Sequence, residues 1–164
     1  MRSRGSYLLL VLVALVLLRP WEHLSFEDEP PGSATVLVTR VVDGDTVEVQ
    51  LDGAEEDVRY IGVDTPETVK PGEPVQCFGP EASAFNHRLV EGERVRLVLG
   101  EERRDVYGRL LAYVYLGDRF VNAELIRRGL ARTLTIPPND RFAGRLKRLE
   151  IAAARAGRGL WGAC

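Results

Sequence analysis

Histidine and cysteine are scarce in this chain: its 164 residues hold two of each. His23 and His87 lie far from Cys77 and Cys164, and nothing has the close Cys and His spacing of a zinc site. A strong charge of either sign is also missing. The chain carries 22 basic and 24 acidic residues, a net charge of −2, and setting aside the first 34 residues hardly changes that balance. Overall charge therefore gives no argument for a nucleic-acid partner, and any anion binding has to come from local clusters. No internal repeat is visible. The long apolar run, Tyr7 to Leu18, is 12 residues, too short for an ordinary membrane span.

What is present describes one folded domain behind a distinct leader. With 28% charged and 45% hydrophobic residues, the chain has an ordinary globular composition and enough length for one sizeable core. Arg2 and Arg4 precede the apolar run, and Arg19 and Pro20 follow it, the layout of an export signal. No small-x-small cleavage site follows closely, because LLRPWEHL is bulky. Residues 1–20 are therefore read as either a cleaved signal peptide or an N-terminal membrane anchor; the competing reading, a buried core helix, would need cover on every face. Residues 21–34, with the acidic Pro/Gly-bearing stretch SFEDEPPGSA, read as a linker, and the domain as 35–164. In an exported chain two cysteines favour a disulfide, so Cys77 and Cys164 are expected to pair, closing a long loop for roughly 4 kcal/mol in the chain-entropy model. Two separate thiols are the alternative.

Hydrophobic periodicity orders the domain. TVLVTRVVDGDTVEVQL (35–51) alternates as two strands around an Asp-Gly turn, and GAEEDVRYIGV adds a turn and a third strand ending at Val63. PEASAFNHRLV has proline at an early helical position and apolar residues at 82, 85 and 89, a short amphipathic helix. ERVRLVLG and GRLLAYVYLGDRF are further strands, the latter with a tight Gly-Asp turn near its end. VNAELIRRGLA is a helix closing at Gly129, and Phe142, Leu146, Leu149 and Ala153 recur at helical spacing. The order β-β-β-α-β-β-α-α predicts an α+β fold: a five-stranded barrel of the oligonucleotide-binding (OB) type with three α-helices.

The candidate chemistry gathers around VDTPET (63–68). Proline fixes its own φ and pushes the residue before it toward extended geometry, so this strand exit holds Asp64 and Glu67 in defined directions. Taken singly, the polar residues have plain readings: Asp43 and Asp45 as turn chemistry, Arg59 and Arg109 as solvent-facing strand arginines. Together they complement one another. Oxygen donors from Asp45, Asp64 and a backbone carbonyl near Thr65 suit Ca²⁺ rather than zinc. Glu67, set apart by the Thr-Pro, is placed to act on a water as general base. Arg59 and Arg109 supply planar, permanently charged forks that match phosphate oxygens. A metal, two arginines and a carboxylate base are the parts of a phosphodiesterase.

DGDT (43–46), Arg59 with VDTPET, FGPEASAF (78–85), YGRLLAYVY (107–115) and VNAELIRRGLA (121–131) together resemble the staphylococcal nuclease (thermonuclease) family, in order and spacing, over about residues 35–162. The resemblance implies an OB barrel with three helices and Ca²⁺-dependent hydrolysis of single-stranded DNA and RNA. The 5′ P–O bond would be cut, leaving 3′-phosphate ends. It implies that Asp45, Asp64 and the Thr65 carbonyl hold the metal, with Asp43 in support. Glu67 would activate water, Arg59 and Arg109 would bind and stabilise the phosphate, and Tyr107 would contact a terminal phosphate. The N-terminal segment, not the resemblance, points to export, with the protein secreted or anchored on the outer face of the cytoplasmic membrane, and a monomer is expected.

The chain departs from the family's best-known member at several points. Val106 stands where that enzyme has a lysine, and RTLTIPPND replaces a tyrosine-rich segment, so Thr135, Ile136 and Pro137 offer no aromatic face for base stacking. The domain also lacks that enzyme's strongly basic surface. Weaker substrate binding with retained chemistry is the expectation. The competing function is a barrel that only binds nucleic acid or a protein at the cell envelope; retention of Arg59, Glu67 and Arg109 speaks against it. Arg141, Arg145, Arg148 and Arg155 make the last helix basic, read either as a phosphate-tracking stripe or as a solvated face.

Overall fold

The computed structural model describes residues 32–68, 72 and 74–164. Residues 1–20, expected to be a signal or anchor, and most of the expected linker, 21–34, lie outside the described residues. Among the described residues no helix is long and apolar enough to cross a membrane.

Three antiparallel strands open the fold: β1 (Ser33–Val41), β2 (Thr46–Leu51) and β3 (Ala54–Tyr60). Their alternation aims Val36, Val38, Val47, Val49, Val58 and Tyr60 into one interior, each nearly or fully buried. The β2–β3 hairpin turns on Asp52 and Gly53, both with positive φ (51° and 83°), the geometry of a two-residue type I′ turn. The DGD segment at 43–45 is a turn too, but a wider one. There the Val42 and Asp43 N–H groups both donate to the Thr46 carbonyl, at 3.0 and 3.3 Å, and the Asp45 N–H donates to Asp43 Oδ1 at 2.9 Å.

After α1 (Gly79–Val90), β5 (Arg94–Arg104) pairs with β1 on one side and with β6 (Leu110–Leu116) on the other. Parallel pairing of β3 with β6, from Val58↔Leu110 to Tyr60↔Ala112, closes the five long strands into a barrel. The expected five-stranded OB barrel with three helices is thus present. Short additions complete it: β7 (Arg119–Phe120) hairpins onto β6 at Gly117-Asp118, and α2 (Val121–Arg127) and α3 (Ala143–Arg155) pack together. A final turn, α4 (Leu160–Ala163), follows.

The expected third strand does not run unbroken to Val63. Gly62 adopts φ +78°, breaking the chain after Tyr60 and starting β4 (Gly62–Asp64) in a second, two-stranded sheet. Its partner is β8 (Arg132–Leu134), with Gly62 opposite Leu134 and Asp64 opposite Arg132. This kink carries Asp64 out of the barrel wall. Asn122, fully buried, staples the junction: its Nδ2 donates to the Ile61 carbonyl and its Oδ1 accepts the Val114 N–H, each at 2.9 Å. Cys77 and Cys164 are disulfide-bonded, with Cα atoms 6.1 Å apart, as expected.

Candidate active site

Asp45 is a carboxylate only 4% exposed, and its partners explain how it is held there. One oxygen, Oδ2, accepts from the Thr65 N–H at 2.6 Å and from Thr65 Oγ1 at 2.9 Å. The other, Oδ1, is ion-paired with Nη1 of Arg59. Gly44 makes this approach possible: a Cβ there would stand 2.6 Å from Thr65 Oγ1 and 2.7 Å from Thr65 Cβ. The DGD turn is thus pressed onto the strand exit, and the middle residue has to be glycine for that contact.

Arg59 reaches out from β3 and joins two carboxylates. Its Nη2 lies 3.2 Å from Asp64 Oδ1 while Nη1 pairs with Asp45. Its side chain is only 16% exposed, so it is not the solvent-facing arginine that a lone mid-strand position suggests. Burial pulls its pKa down from the usual guanidinium value, and the charges of Asp43 and Asp64 work against that pull. Asp43 sits alongside. Burial pushes its carboxyl above the usual range, with Arg59 opposing and the charge of Glu67 adding to the rise.

Glu67 is held through its backbone. Its N–H donates to Gln76 Oε1 at 3.0 Å, and its carbonyl accepts the Gln76 N–H at 2.9 Å. The Thr68 N–H donates to Glu67 Oε1 at 2.8 Å. Gly79 lets this segment lie close to the start of α1, since a Cβ there would be 3.0 Å from both the Pro66 and Glu67 carbonyl oxygens. Cys77, next to Gln76, then fastens the segment to Cys164.

Arg109 enters from the turn before β6. Asp105 accepts its Nε at 2.7 Å and pairs with its Nη2 at 2.7 Å, so one edge of the fork is used and the other is oriented. The Asp105 carboxylate also takes the Tyr107 and Arg109 backbone N–H groups, both at 3.0 Å. Tyr107 is 81% exposed, with its ring centroid 5.4 Å from the Arg109 guanidinium carbon. Arg59, Tyr107 and Arg109 line one cleft of about 320 Å³, whose lining also includes the aliphatic Val106, Leu134 and Ile136.

The fold therefore brings Asp45, Asp64, Thr65 and Arg59 into direct contact and sets Arg109 and Tyr107 on the same cleft as Arg59, while Glu67 follows Thr65 by two residues on the same strand exit. Sequence reasoning missed Gln76, Asp105 and the need for glycine at 44. Only Asp105 had a local signal, an acid four residues before Arg109 across a Gly-bearing turn. His87 is on the exposed face of α1 beside Glu91, away from this cluster. Trp161 lies under the Arg132 guanidinium, 4.4 Å from carbon to centroid, and anchors the tail.

Among the described residues no group of three or more His, Cys, Asp or Glu side chains is gathered to hold a metal ion. The donors at hand are the Asp45 and Asp64 carboxylates, both turned onto a single cation, Arg59. Such a set fits a hard ion that completes its shell with backbone carbonyls and water, and it does not suit zinc.

A closed OB barrel with two arginines and paired carboxylates at its rim defines the class, and sequence comparison places the chain within it. The family model described as "Staphylococcal nuclease homologue" matches residues 57–163. A protein named thermonuclease from Staphylococcus intermedius is 47% identical over 76% of this chain and 74% of its own length. A second thermonuclease, from Staphylococcus hyicus, is 44% identical over 77% and 75%. Endonuclease YncB of Bacillus subtilis (strain 168) is 40% identical over 77% of this chain and 61% of its own. The chain belongs to the staphylococcal nuclease family.

Proposed function

We propose that this protein is a Ca²⁺-dependent nuclease that hydrolyses single-stranded DNA and RNA at the 5′ P–O bond. The observation that carries the reading is the convergence of Arg59 and Arg109 on one cleft, with Arg59 bridging Asp45 and Asp64. Membership of a family whose relatives are named thermonucleases and endonucleases supports it.

Asp45, Asp64 and the Thr65 carbonyl would hold the calcium ion. When bound, it supplies positive charge at a phosphate oxygen. The remaining work falls to the chain's own residues. Arg59 and Arg109 donate to the non-bridging phosphate oxygens, and their hydrogen bonds strengthen as negative charge grows there. Asp105 keeps the Arg109 fork aimed before substrate arrives. Glu67 takes a proton from a water molecule, whose oxygen forms the new bond to phosphorus. The bond from phosphorus to the 5′ oxygen breaks, that oxygen takes a proton from solvent, and a 3′-phosphate remains. Tyr107 would contact a terminal phosphate from the cleft rim.

We also read the chain as an exported monomer, secreted or held at the outer face of the cytoplasmic membrane. The Cys77–Cys164 disulfide supports the export part of this reading, since such bonds persist in oxidising compartments. End-group analysis tests the chemistry: DNA and RNA strands are incubated with calcium or with chelator. Products ending in 3′-phosphate, formed only with calcium, are expected. Products with 5′-phosphate ends, or cutting that chelator leaves untouched, would overturn the proposal.

A further inference from the structure

Away from the catalytic cleft, a groove of about 550 Å³ runs between α1, α2 and the turn joining α3 to α4. Phe78, Phe85, Arg88, Arg127, Arg128 and Arg158 form most of its lining. All four arginines are exposed, while both rings are half-buried. Two carboxylates answer them: Glu81 in the lining, and Glu124, which pairs with Arg127 at 2.6 Å and with Arg128 at 3.4 Å. Two guanidiniums remain in excess, a local cluster on a chain whose overall charge is −2. The arginines are also held in place. The Arg128 guanidinium lies over the Phe85 ring, 4.8 Å from its centroid, and Arg158 Nη1 donates to the Arg127 carbonyl at 3.3 Å.

This groove neighbours the site along the chain. Its lining residues Phe78 and Gly159 are chain neighbours of Cys77 and Leu160, which line a smaller cleft of about 220 Å³ together with Asp64, Thr65 and Arg132. The disulfide lines that smaller cleft, and so does Arg132, which adds a further cation on the side of Asp64 and Thr65.

We propose that this groove is a second phosphate-binding track, which takes the single-stranded nucleic-acid chain beyond the catalytic cleft. The inference rests on the nuclease reading above and names where the rest of a long substrate lies. A positively charged groove with aromatic rings is the chemistry that follows a single-stranded backbone. It also supplies the phosphate contacts that Val106 and the aliphatic wall of the catalytic cleft do not. An anionic bilayer is the poorer fit, because Phe78 and Phe85 are half-buried and offer it no freely exposed apolar side chain to insert.

The test measures binding of a 30-nucleotide oligothymidylate to the full chain by fluorescence anisotropy, in chelator, across a salt series. The variants are Arg88→Gln alone and the triple Arg88→Gln, Arg128→Gln, Arg158→Gln. Each lost phosphate contact lowers the salt slope by ~0.7 for a single strand. The triple variant should therefore lose about 2 from the slope and bind about tenfold more weakly at low salt. Arg88→Gln alone should remove about a third of that change, which covers the case of a triple variant that fails to fold. An unchanged slope in the folded variants overturns the track. So does a loss seen on phosphatidylserine vesicles and not on DNA. A parallel cleavage assay with calcium separates the two proposals. DNA that is cut while the slope stays unchanged sinks the track alone. A lost slope without any cutting by wild type upholds the track and sinks the nuclease reading.

Discussion

Glu67 and Gln76 are joined twice, the Glu67 N–H to the Gln76 side-chain oxygen and the Gln76 N–H to the Glu67 carbonyl. The proposed base therefore takes its position from a residue nine places along the chain. Gln76→Ala removes one of the two bonds and frees the Glu67 N–H. Misplaced catalytic groups lose turnover more than binding. Steady-state kinetics on single-stranded DNA should show kcat lower by about tenfold, equivalent to about 1.4 kcal/mol, with KM nearly unchanged. A rise in KM alone would contradict the assignment.

The disulfide beside Gln76 spans 87 positions. Closing a loop of that length is worth about 4.6 kcal/mol in the chain-entropy model. Cys164→Ser is accordingly expected to lower the melting temperature by roughly 15 °C, read by circular dichroism. Wild type in reductant should melt close to the variant. A variant that melts with oxidised wild type would show that the bond adds nothing.

Gly44 faces Thr65 with no room for a methyl group. Gly44→Ala should push Thr65 off Asp45, at a cost of about 1–3 kcal/mol in stability. Calcium-dependent activity should fall further than stability alone explains. Denaturant unfolding and calcium titration of activity check the two parts separately.

Much of this arrangement is legible from residue order, and the limits are physical. Alternating valines mark the barrel strands because each strand has one buried face. Asp64, Glu67, Arg59 and Arg109 each have a plain reading alone, and they stand out only as a set, two carboxylates held by a stiff Thr-Pro exit with two arginines to complement them. What escapes is contact between distant segments. β8 is three residues long, too short for any period to show, and it exists because Gly62 turns β4 out to meet it. Gln76 looks like an ordinary loop residue until the chain folds back on Glu67. Asn86 reads as a polar helix position, yet it is fully buried, accepting from the Tyr60 hydroxyl at 3.2 Å and donating to the Asp43 carbonyl at 3.1 Å.

Glu150 carries a pH dependence of its own. It is buried on α3, accepts the Thr133 N–H and Oγ1 at 2.9 Å each, and pairs with Lys147. Burial pushes its carboxyl up, but the Lys147 and Thr133 bonds outweigh burial and hold it below the usual glutamate range. A carboxyl depressed on folding adds stability above its unfolded pKa and loses it as pH falls through the folded value. The stability gap between wild type and Glu150→Gln should therefore be full at pH 7 and shrink steadily below about pH 4.5. Urea unfolding at several pH values checks this; a gap that widens in acid would reverse the sign.

The central claim is that Glu67 activates the water in a calcium-dependent hydrolysis. The most direct measurement is the rate of cleavage of a labelled single-stranded DNA by the full chain, wild type against Glu67→Gln, with calcium and with chelator. Calcium-dependent cutting by wild type is expected, with a loss of about 10²–10⁴-fold in the variant, the usual reach of general-base catalysis. Equal rates in the two proteins, or no cutting by a wild type whose fold is intact, would contradict it.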